Sequence, residues 1–154
     1  FSQGNLNFMR LSGIVHSIGN MDYIPPARYP EDLAHIPAEQ MAELIRKLAA
    51  DCGYEIIILD VGNYGHQAAP ILSVCQIVYM PIKEDGISSA KIWEFEAYAE
   101  RTGNSGMLDK VKKLKLPYHR GFGRRENYIE QLLWSELGDY VRKLMRGSRE
   151  EMEC

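Results

Sequence analysis

Asp60 is the residue whose position most clearly suits chemistry, because four consecutive aliphatic residues, 56–59, lead directly into it. A carboxylate at the end of a buried strand can hold a magnesium ion beside bound phosphates, usually through water. The loop that follows contains Gly62, and a glycine there lets the backbone approach a ligand closely. Asp is also a common turn-former. The residues alone therefore leave a metal-binding role and a turn-forming role for Asp60 equally open.

A basic stretch near the end of the chain is the second candidate for function. Residues 110–125 include no acid, although the whole chain carries a net charge of −3. Such local asymmetry suggests an anionic partner, either nucleotide phosphate, nucleic acid or a lipid surface. Alternatively, the lysines flank an edge strand and discourage aggregation. The seven basic residues are Lys110, Lys112, Lys113, Lys115, Arg120, Arg124 and Arg125.

The elements that position these residues alternate between helices and strands. The run 54–60 is rich in isoleucine without polar alternation, which predicts a strand covered on both faces. Residues 88 and 89 are serines at the start of a predicted helix, where Ser is favoured as the N-cap. The predicted strands are 21–24, 54–60, 76–81 and 111–116, and the predicted helices are 8–18, 37–52, 68–74, 88–101, 126–133 and 137–145.

This order predicts an α/β domain with an open, mostly parallel sheet flanked by helices. We expect the domain to span residues 1–146, followed by a charged, frayed tail over 147–154. In such sheets ligands bind beyond the carboxyl ends of the strands. The candidate ligand-binding positions are therefore the strand ends at Asp60, Pro81 and Pro117, each with the loop that follows it.

Composition narrows the classes of protein that remain. The 154 residues fit one domain, and the longest apolar run is far shorter than the ~20 residues of a membrane span. The three cysteines form no CxxC pair, so neither a disulfide framework nor a zinc site is predicted, and a reducing cytoplasm is expected. The four histidines show no metal spacing, and no hydrolase, metalloprotease or kinase motif occurs.

Several motifs over residues 8–146, read together, resemble the MinD/ParA superfamily of deviant P-loop ATPases. The Pro-Glu-Asp signature points to the branch that contains the pilus-assembly proteins TadZ and CpaE. The motifs that carry this resemblance are 25–33 (PPARYPEDL), 54–60 (YEIIILD), 76–81 (QIVYMP), 88–91 (SSAK), 94–96 (EFE), 114–117 (LKLP) and 134–141 (WSELGDYV).

The resemblance implies a three-layer, P-loop NTPase-like sheet, ATP and Mg²⁺ as cofactors, and a nucleotide-sandwich homodimer. Asp60 corresponds to the family's Walker B-type carboxylate and metal ligand. Gly62 falls where the switch loop begins, with Gly62 and Asn63 replacing the usual proline-glycine. Pro117 and Tyr118 resemble the region that borders the adenine.

The resemblance also implies partners and a location. Secretion or pilus-assembly proteins are the expected partners, in the cytoplasm or peripherally at the membrane. The seven basic residues of 110–125 would supply contact with an anionic surface.

The family's glycine-rich phosphate loop is absent from the printed sequence. Because the chain starts at Phe1 and not at Met, we expect a fragment, a processed chain or a trimmed chain, and that loop would lie upstream of Phe1. A P-loop's backbone amides and lysine supply most of the phosphate binding. These 154 residues alone are therefore expected neither to bind ATP tightly nor to hydrolyse it.

Two other classes of function stay open. One is a non-enzymatic protein-interaction domain, which the missing phosphate loop favours. The other is a phospho-receiver module with Asp60 as acceptor, because Lys115 follows it by 55 residues at a later strand end. A receiver also needs an acidic pair after its first strand, where this sequence offers Asp22 alone.

Overall fold

The computed structural model describes residues 13–26, 28–29, 36–62, 68–117 and 127–153. The chain forms two compact units, Phe1–Val74 and Cys75–Cys154.

The first unit contains a small antiparallel hairpin. Strand β1 (His16–Ile18) pairs with β2 (Met21–Tyr23) around a turn in which Gly19 has a φ of 60°. The rings of the opposed residues His16 and Tyr23 stack with centroids 5.4 Å apart. The strand predicted over 21–24 is therefore confirmed.

The helix predicted over 8–18 is wrong where it can be compared, because residues 16–18 form β1. The left-handed conformation of Gly19 folds the chain into a two-residue turn, and that turn joins two extended segments. Residues 8–12 lie outside the described part.

Two helices supply the core of the first unit. Helix α1 (Ala38–Asp51) and helix α2 (Ala68–Ser73) confirm the helices predicted at 37–52 and 68–74. Gly53 follows α1 with a φ of 69°, the left-handed conformation that commonly ends a helix. The buried residues are Ala38, Ala42, Ala69 and Ile71.

The strand predicted over 54–60 is not formed in the described structure. These residues belong to no helix or strand, and Ile56 and Ile58 are 44% and 77% exposed. Strand propensity describes how a side chain suits a pleated surface, whereas a strand exists only when its backbone pairs with a neighbour. The described residues of this unit supply no such neighbour.

The second unit is organised around a parallel strand–helix–strand crossover. Strand β3 (Val78–Ile82) leads into helix α3 (Gly86–Arg101), a 3₁₀ helix (Ser105–Lys110) and strand β4 (Val111–Lys115). Strands β3 and β4 pair in parallel, which confirms the elements predicted at 76–81, 88–101 and 111–116. Val78, Ala99 and Met107 are buried in this unit.

Two closing helices complete the second unit. Helix α4 (Tyr128–Leu133) matches the prediction, but helix α5 (Glu136–Glu153) continues beyond residue 145. The expected frayed tail contains good helix formers, namely Arg, Glu and Met, and the helix extends through them. Leu133 and Val141 on these helices are exposed.

Close contacts join these helices to their surroundings within the unit. The guanidinium of Arg142 donates a 2.8 Å hydrogen bond to the carbonyl oxygen of Leu133, at the C-terminal end of α4. The buried hydroxyl of Ser148 bonds to the hydroxyl of Tyr79, which connects α5 to β3.

The described residues thus form an α/β protein with one parallel and one antiparallel two-stranded sheet. In that part of the chain, no helix combines the length and apolar character needed to cross a bilayer.

Candidate functional site

The carboxyl ends of β3 and β4 lie at the same edge of the parallel sheet. The register places Ile82, the last residue of β3, opposite Lys115, the last residue of β4. The segment 83–85 follows β3, and Leu116 and Pro117 follow β4. Ligands of parallel α/β sheets bind at this kind of edge. We therefore take it as the candidate site and call it the carboxyl edge.

Helix α3 begins at the carboxyl edge and is capped by Asp85. The backbone N–H of Ser88 donates a 2.6 Å hydrogen bond to Oδ1 of Asp85. The N-cap is thus Asp85, and the prediction that Ser88 or Ser89 would cap this helix is wrong. Asp85 stands outside the helix in an extended conformation, which lets its carboxylate reach back to the N–H group three residues on.

The pKa of Asp85 is lowered from its ordinary value of 3.8. The backbone N–H of Ser88 is the largest cause, followed by the hydroxyl of Ser88, and the charge of Lys83 adds to the effect. The negative charge therefore stays at the positive end of the helix dipole. A phosphate group would have to compete with this carboxylate for the same N–H groups.

An open cleft of about 470 Å³ lies between β3 and α3 beside the carboxyl edge. Its walls are mainly apolar, and its polar groups are two lysines and one serine. Such a lining suits a ligand that combines an apolar body with a negative charge. The lining residues are Met80, Pro81, Ile82 and Lys83 from the strand side, and Ser88, Lys91, Ile92 and Phe95 from the helix.

Two lysines of β4 are paired with carboxylates. Lys115 forms an ion pair with Glu84 at the carboxyl edge, and Nζ of Lys113 lies 2.6 Å from a carboxylate oxygen of Glu96 on α3. All four side chains are substantially exposed, so each pair contributes little to stability. The pairs nevertheless offset part of the positive charge that the basic stretch offers to a partner.

The predicted site residues fall in different places. Pro117 lies at the carboxyl edge and is half-buried. Asp60 and Gly62 lie in the first unit, where Asp60 is exposed and Gly62 has a φ of 55°. The predicted residues Asn63, Tyr118, Arg120, Arg124 and Arg125 lie outside the described residues.

Asp60 has one carboxylate to offer a magnesium ion. Within the described ranges, no group of three or more His, Cys, Asp or Glu side chains is arranged to hold a metal. Magnesium binds through one or two carboxylates together with substrate phosphates. A single carboxylate without the glycine-lysine phosphate loop, which the printed sequence lacks, does not by itself fit ATP-Mg²⁺.

Sequence reasoning missed Lys83, Asp85 and Lys91 at the site. An Asp just before a helix is a favoured N-cap, and Asp85 would have located the cap. Lys91 lies three residues after Ser88, and this spacing places both on one helix face.

Comparisons of the chain with protein-family models, curated proteins and solved structures found no match.

Proposed function

We propose that this chain acts as an ATPase-like regulatory or localisation domain of the MinD/ParA type, in the TadZ/CpaE branch. The observation that carries the proposal is the parallel β3–α3–β4 crossover, with a cleft containing Lys83 and Lys91 at its carboxyl edge. The motif resemblance supplies the family. A three-layer, P-loop NTPase-like sheet in the complete protein is part of the proposal.

Nucleotide contact by this chain alone is proposed to be weak and without hydrolysis. The printed sequence contains no glycine-lysine phosphate loop, and Asp85 already occupies the N–H of Ser88. The lysines of the cleft provide attraction without a backbone cradle. ATP and Mg²⁺ are therefore proposed as cofactors only of a longer protein that includes a phosphate loop.

The proposed partners follow from the same resemblance. They are secretion or pilus-assembly proteins and a second copy of the chain, in the cytoplasm or at a membrane surface. The basic stretch is proposed to contact an anionic surface, with the charges of Lys113 and Lys115 partly offset by Glu96 and Glu84.

A non-enzymatic interaction domain is the second candidate, and exposed apolar side chains in the second unit favour it. Ile87 and Trp93 are each more than 70% exposed, and Trp134 is 86% exposed. Large apolar side chains left in water are typical of surfaces that meet other proteins. Under this alternative, Asp60→Ala leaves partner binding unchanged.

The receiver alternative has less support. A receiver uses its strand-end lysine to stabilise the phosphorylated aspartate, whereas Lys115 is paired with Glu84 in its own unit. Titration with beryllofluoride and magnesium tests this alternative, because a receiver responds through Asp60. A response that Asp60→Ala abolishes would favour the receiver over the ATPase-like domain.

The proposal is tested by titrating ATP-Mg²⁺ into the isotope-labelled chain and following its amide signals by NMR. We expect shifts that saturate only in the millimolar range and that cluster at residues 83–88 and 115–116. Lys83→Ala and Lys91→Ala should each weaken the interaction several-fold. Lys143→Ala is the matched control, because Lys143 is an exposed lysine of the same unit on α5.

Two results would contradict the proposal. One is the absence of shifts at the carboxyl edge. The other is an equal loss of affinity in all three lysine variants, which would indicate non-specific attraction between the anion and the protein surface.

A further inference from the structure

The cleft between β3 and α3 contains apolar side chains that are still partly open to water. Two of them lie two residues apart on β3 and two lie three residues apart on α3, so each pair shares one side of its element. All four are half-buried, and a ligand that covered them would remove apolar surface from water. We call them the apolar floor; they are Met80, Ile82, Ile92 and Phe95.

The two walls of the cleft change from polar to apolar in the same direction. Helix α3 returns the chain from the carboxyl end of β3 towards the start of β4, so it runs opposite to the strands. Lys83 and Ser88 therefore lie at the carboxyl edge, whereas Met80 and Phe95 lie towards the other end. From Ser88 to Phe95 the helix advances about 10 Å, which is two turns. The cleft thus has a polar end and an apolar end.

Lys91 provides a positive charge between these two ends, because it lies three residues after Ser88 and four before Phe95. It forms no ion pair with any residue that the structure describes, whereas two lysines of β4 pair with carboxylates. The charge of Lys83 already acts on the carboxylate of Asp85. Lys91 is therefore the lysine best placed to receive an anion.

We propose that the cleft binds a single-chain alkyl carboxylate, with the carboxylate at Lys91 and the chain along the apolar floor. The exposed ammonium group forms an ion pair with the ligand, and the alkyl chain covers the half-buried side chains. This inference shares the cleft with the proposed function but not its family assignment. Titrations with ATP-Mg²⁺ and with an alkyl carboxylate can therefore each fail without the other.

The chemistry of the cleft favours an alkyl carboxylate over a nucleotide. A phosphate group carries more charge and three acceptor oxygens, and Asp85 already accepts the N–H of Ser88 that would serve it. A base and a ribose would also place polar groups against the apolar floor, which is unfavourable where they stay unpaired. A flexible alkyl chain has no such groups and can follow a cleft that is open along two turns of the helix.

An NMR titration of the full chain, with labelled Met and Ile methyl groups, tests the proposal. The probe is decanoate, kept below its micelle concentration. The methyl signals of Met80, Ile82 and Ile92 should shift together, with a dissociation constant of about 1 mM or below. Ile87 is the control in the same spectrum, because it is 73% exposed but does not line the cleft. Its signal should not follow those of the cleft.

The length and the charge of the probe then test the two parts of the ligand. Affinity should rise about two- to four-fold per added methylene from hexanoate through octanoate to decanoate. Decyltrimethylammonium has the same alkyl chain with a positive head group, and it should bind at least about five-fold more weakly than decanoate. Because the whole chain has a net charge of −3, a preference for the anion has to come from the local lysines.

Lys91→Met removes the charge and keeps a long side chain that suits a helix. It should weaken decanoate binding about two- to five-fold. Lys143→Met is the matched control, because Lys143 is an exposed lysine of the same unit on α5. This control should bind decanoate like the wild type, and circular dichroism should confirm that both variants fold.

Vesicles of anionic phospholipid distinguish a free ligand from a bilayer. The methyl signals of the cleft should respond to decanoate and not to vesicles, and a response to vesicles alone would overturn the proposal. It would also be overturned by shifts at Ile87 equal to those in the cleft, or by an affinity that does not depend on chain length. Equal binding of decanoate by Lys91→Met and Lys143→Met, or equal binding of both ten-carbon probes, would contradict the assigned ion pair.

Discussion

The hydroxyl of Tyr54 donates a 2.7 Å hydrogen bond to Oδ2 of Asp22, which connects the start of segment 54–60 to the β1–β2 hairpin. Asp22 also accepts a hydrogen bond from the hydroxyl of Ser17 on the opposite strand. These two hydroxyls lower the pKa of Asp22, with Ser17 as the larger cause. The same carboxylate raises the pKa of Tyr54 above its ordinary value of 10.0.

Asp22→Asn should therefore lower the pKa of Tyr54 towards its ordinary value. In the wild type, the bond stabilises the fold below pH 10.0, and this stabilisation is lost as the pH rises through the raised folded pKa. NMR titration of ring-labelled tyrosine measures the change, and Tyr54→Phe identifies the signal among the nine tyrosines. An unchanged Tyr54 titration in Asp22→Asn would show that the hydrogen bond is absent in solution.

Asp85 should make the stability of the second unit depend on acidity. Because its folded pKa is lowered, its contribution is present above the ordinary value of 3.8 and is lost as the pH falls through the folded value. Asp85→Ala should lower the Tm by a few degrees near neutral pH. The difference from the wild type should shrink as the pH falls below 3.8 and through the lowered folded value.

Asp85→Asn is the matched control for the capping charge. Asn is also a favoured N-cap, so this variant should keep more stability near neutral pH than Asp85→Ala. Thermal unfolding followed by circular dichroism at several pH values compares the three proteins. Equal Tm values for Asp85→Ala and the wild type near neutral pH would contradict the capping role.

Gly138 allows α5 to approach the end of α4 closely. A Cβ atom at this position would lie 2.6 Å from the carbonyl oxygen of Leu132 and even closer to that of Leu133. Gly138→Ala should therefore destabilise the protein by about 1–3 kcal/mol, the typical cost of overpacking. Denaturant unfolding measures this change.

Gly147→Ala is the matched control on the same helix. A Cβ at Gly147 meets no other group within 4 Å. Since Ala has a higher helix propensity than Gly, this variant should stabilise the protein by about 0.5–1 kcal/mol. Equal effects of the two substitutions would show that the close approach at Gly138 does not persist in solution.

The helices and the parallel strands were predictable because their signals are local. The stripe of Met41, Leu44, Ile45 and Leu48 predicts α1, the run 76–81 predicts β3, and Pro117 predicts the end of β4. The hairpin was harder to predict from the sequence, because the spacing of the apolar residues before Gly19 resembles one face of a helix. The segment 54–60 shows that a β-branched run indicates a strand but does not provide its partner.

The candidate site was only partly predictable, because the rule that locates it depends on which strands pair. The rule for strand ends identified the region of Pro81 and Pro117, since parallel strands bring their carboxyl ends to one edge. The same rule was applied to Asp60, but it requires a paired strand, and the described residues contain none there. The position of Lys83 and Lys91 in one cleft follows only from the structure, which places β3 beside α3.

Isothermal titration of this chain with ATP-Mg²⁺ is the most direct test of the central claim, that the chain has a ligand-facing sheet edge without a phosphate cradle. We predict no saturable binding below about 1 mM ATP and no phosphate release. A dissociation constant in the micromolar range would contradict this account, because it would require a phosphate-binding group that the account does not assign.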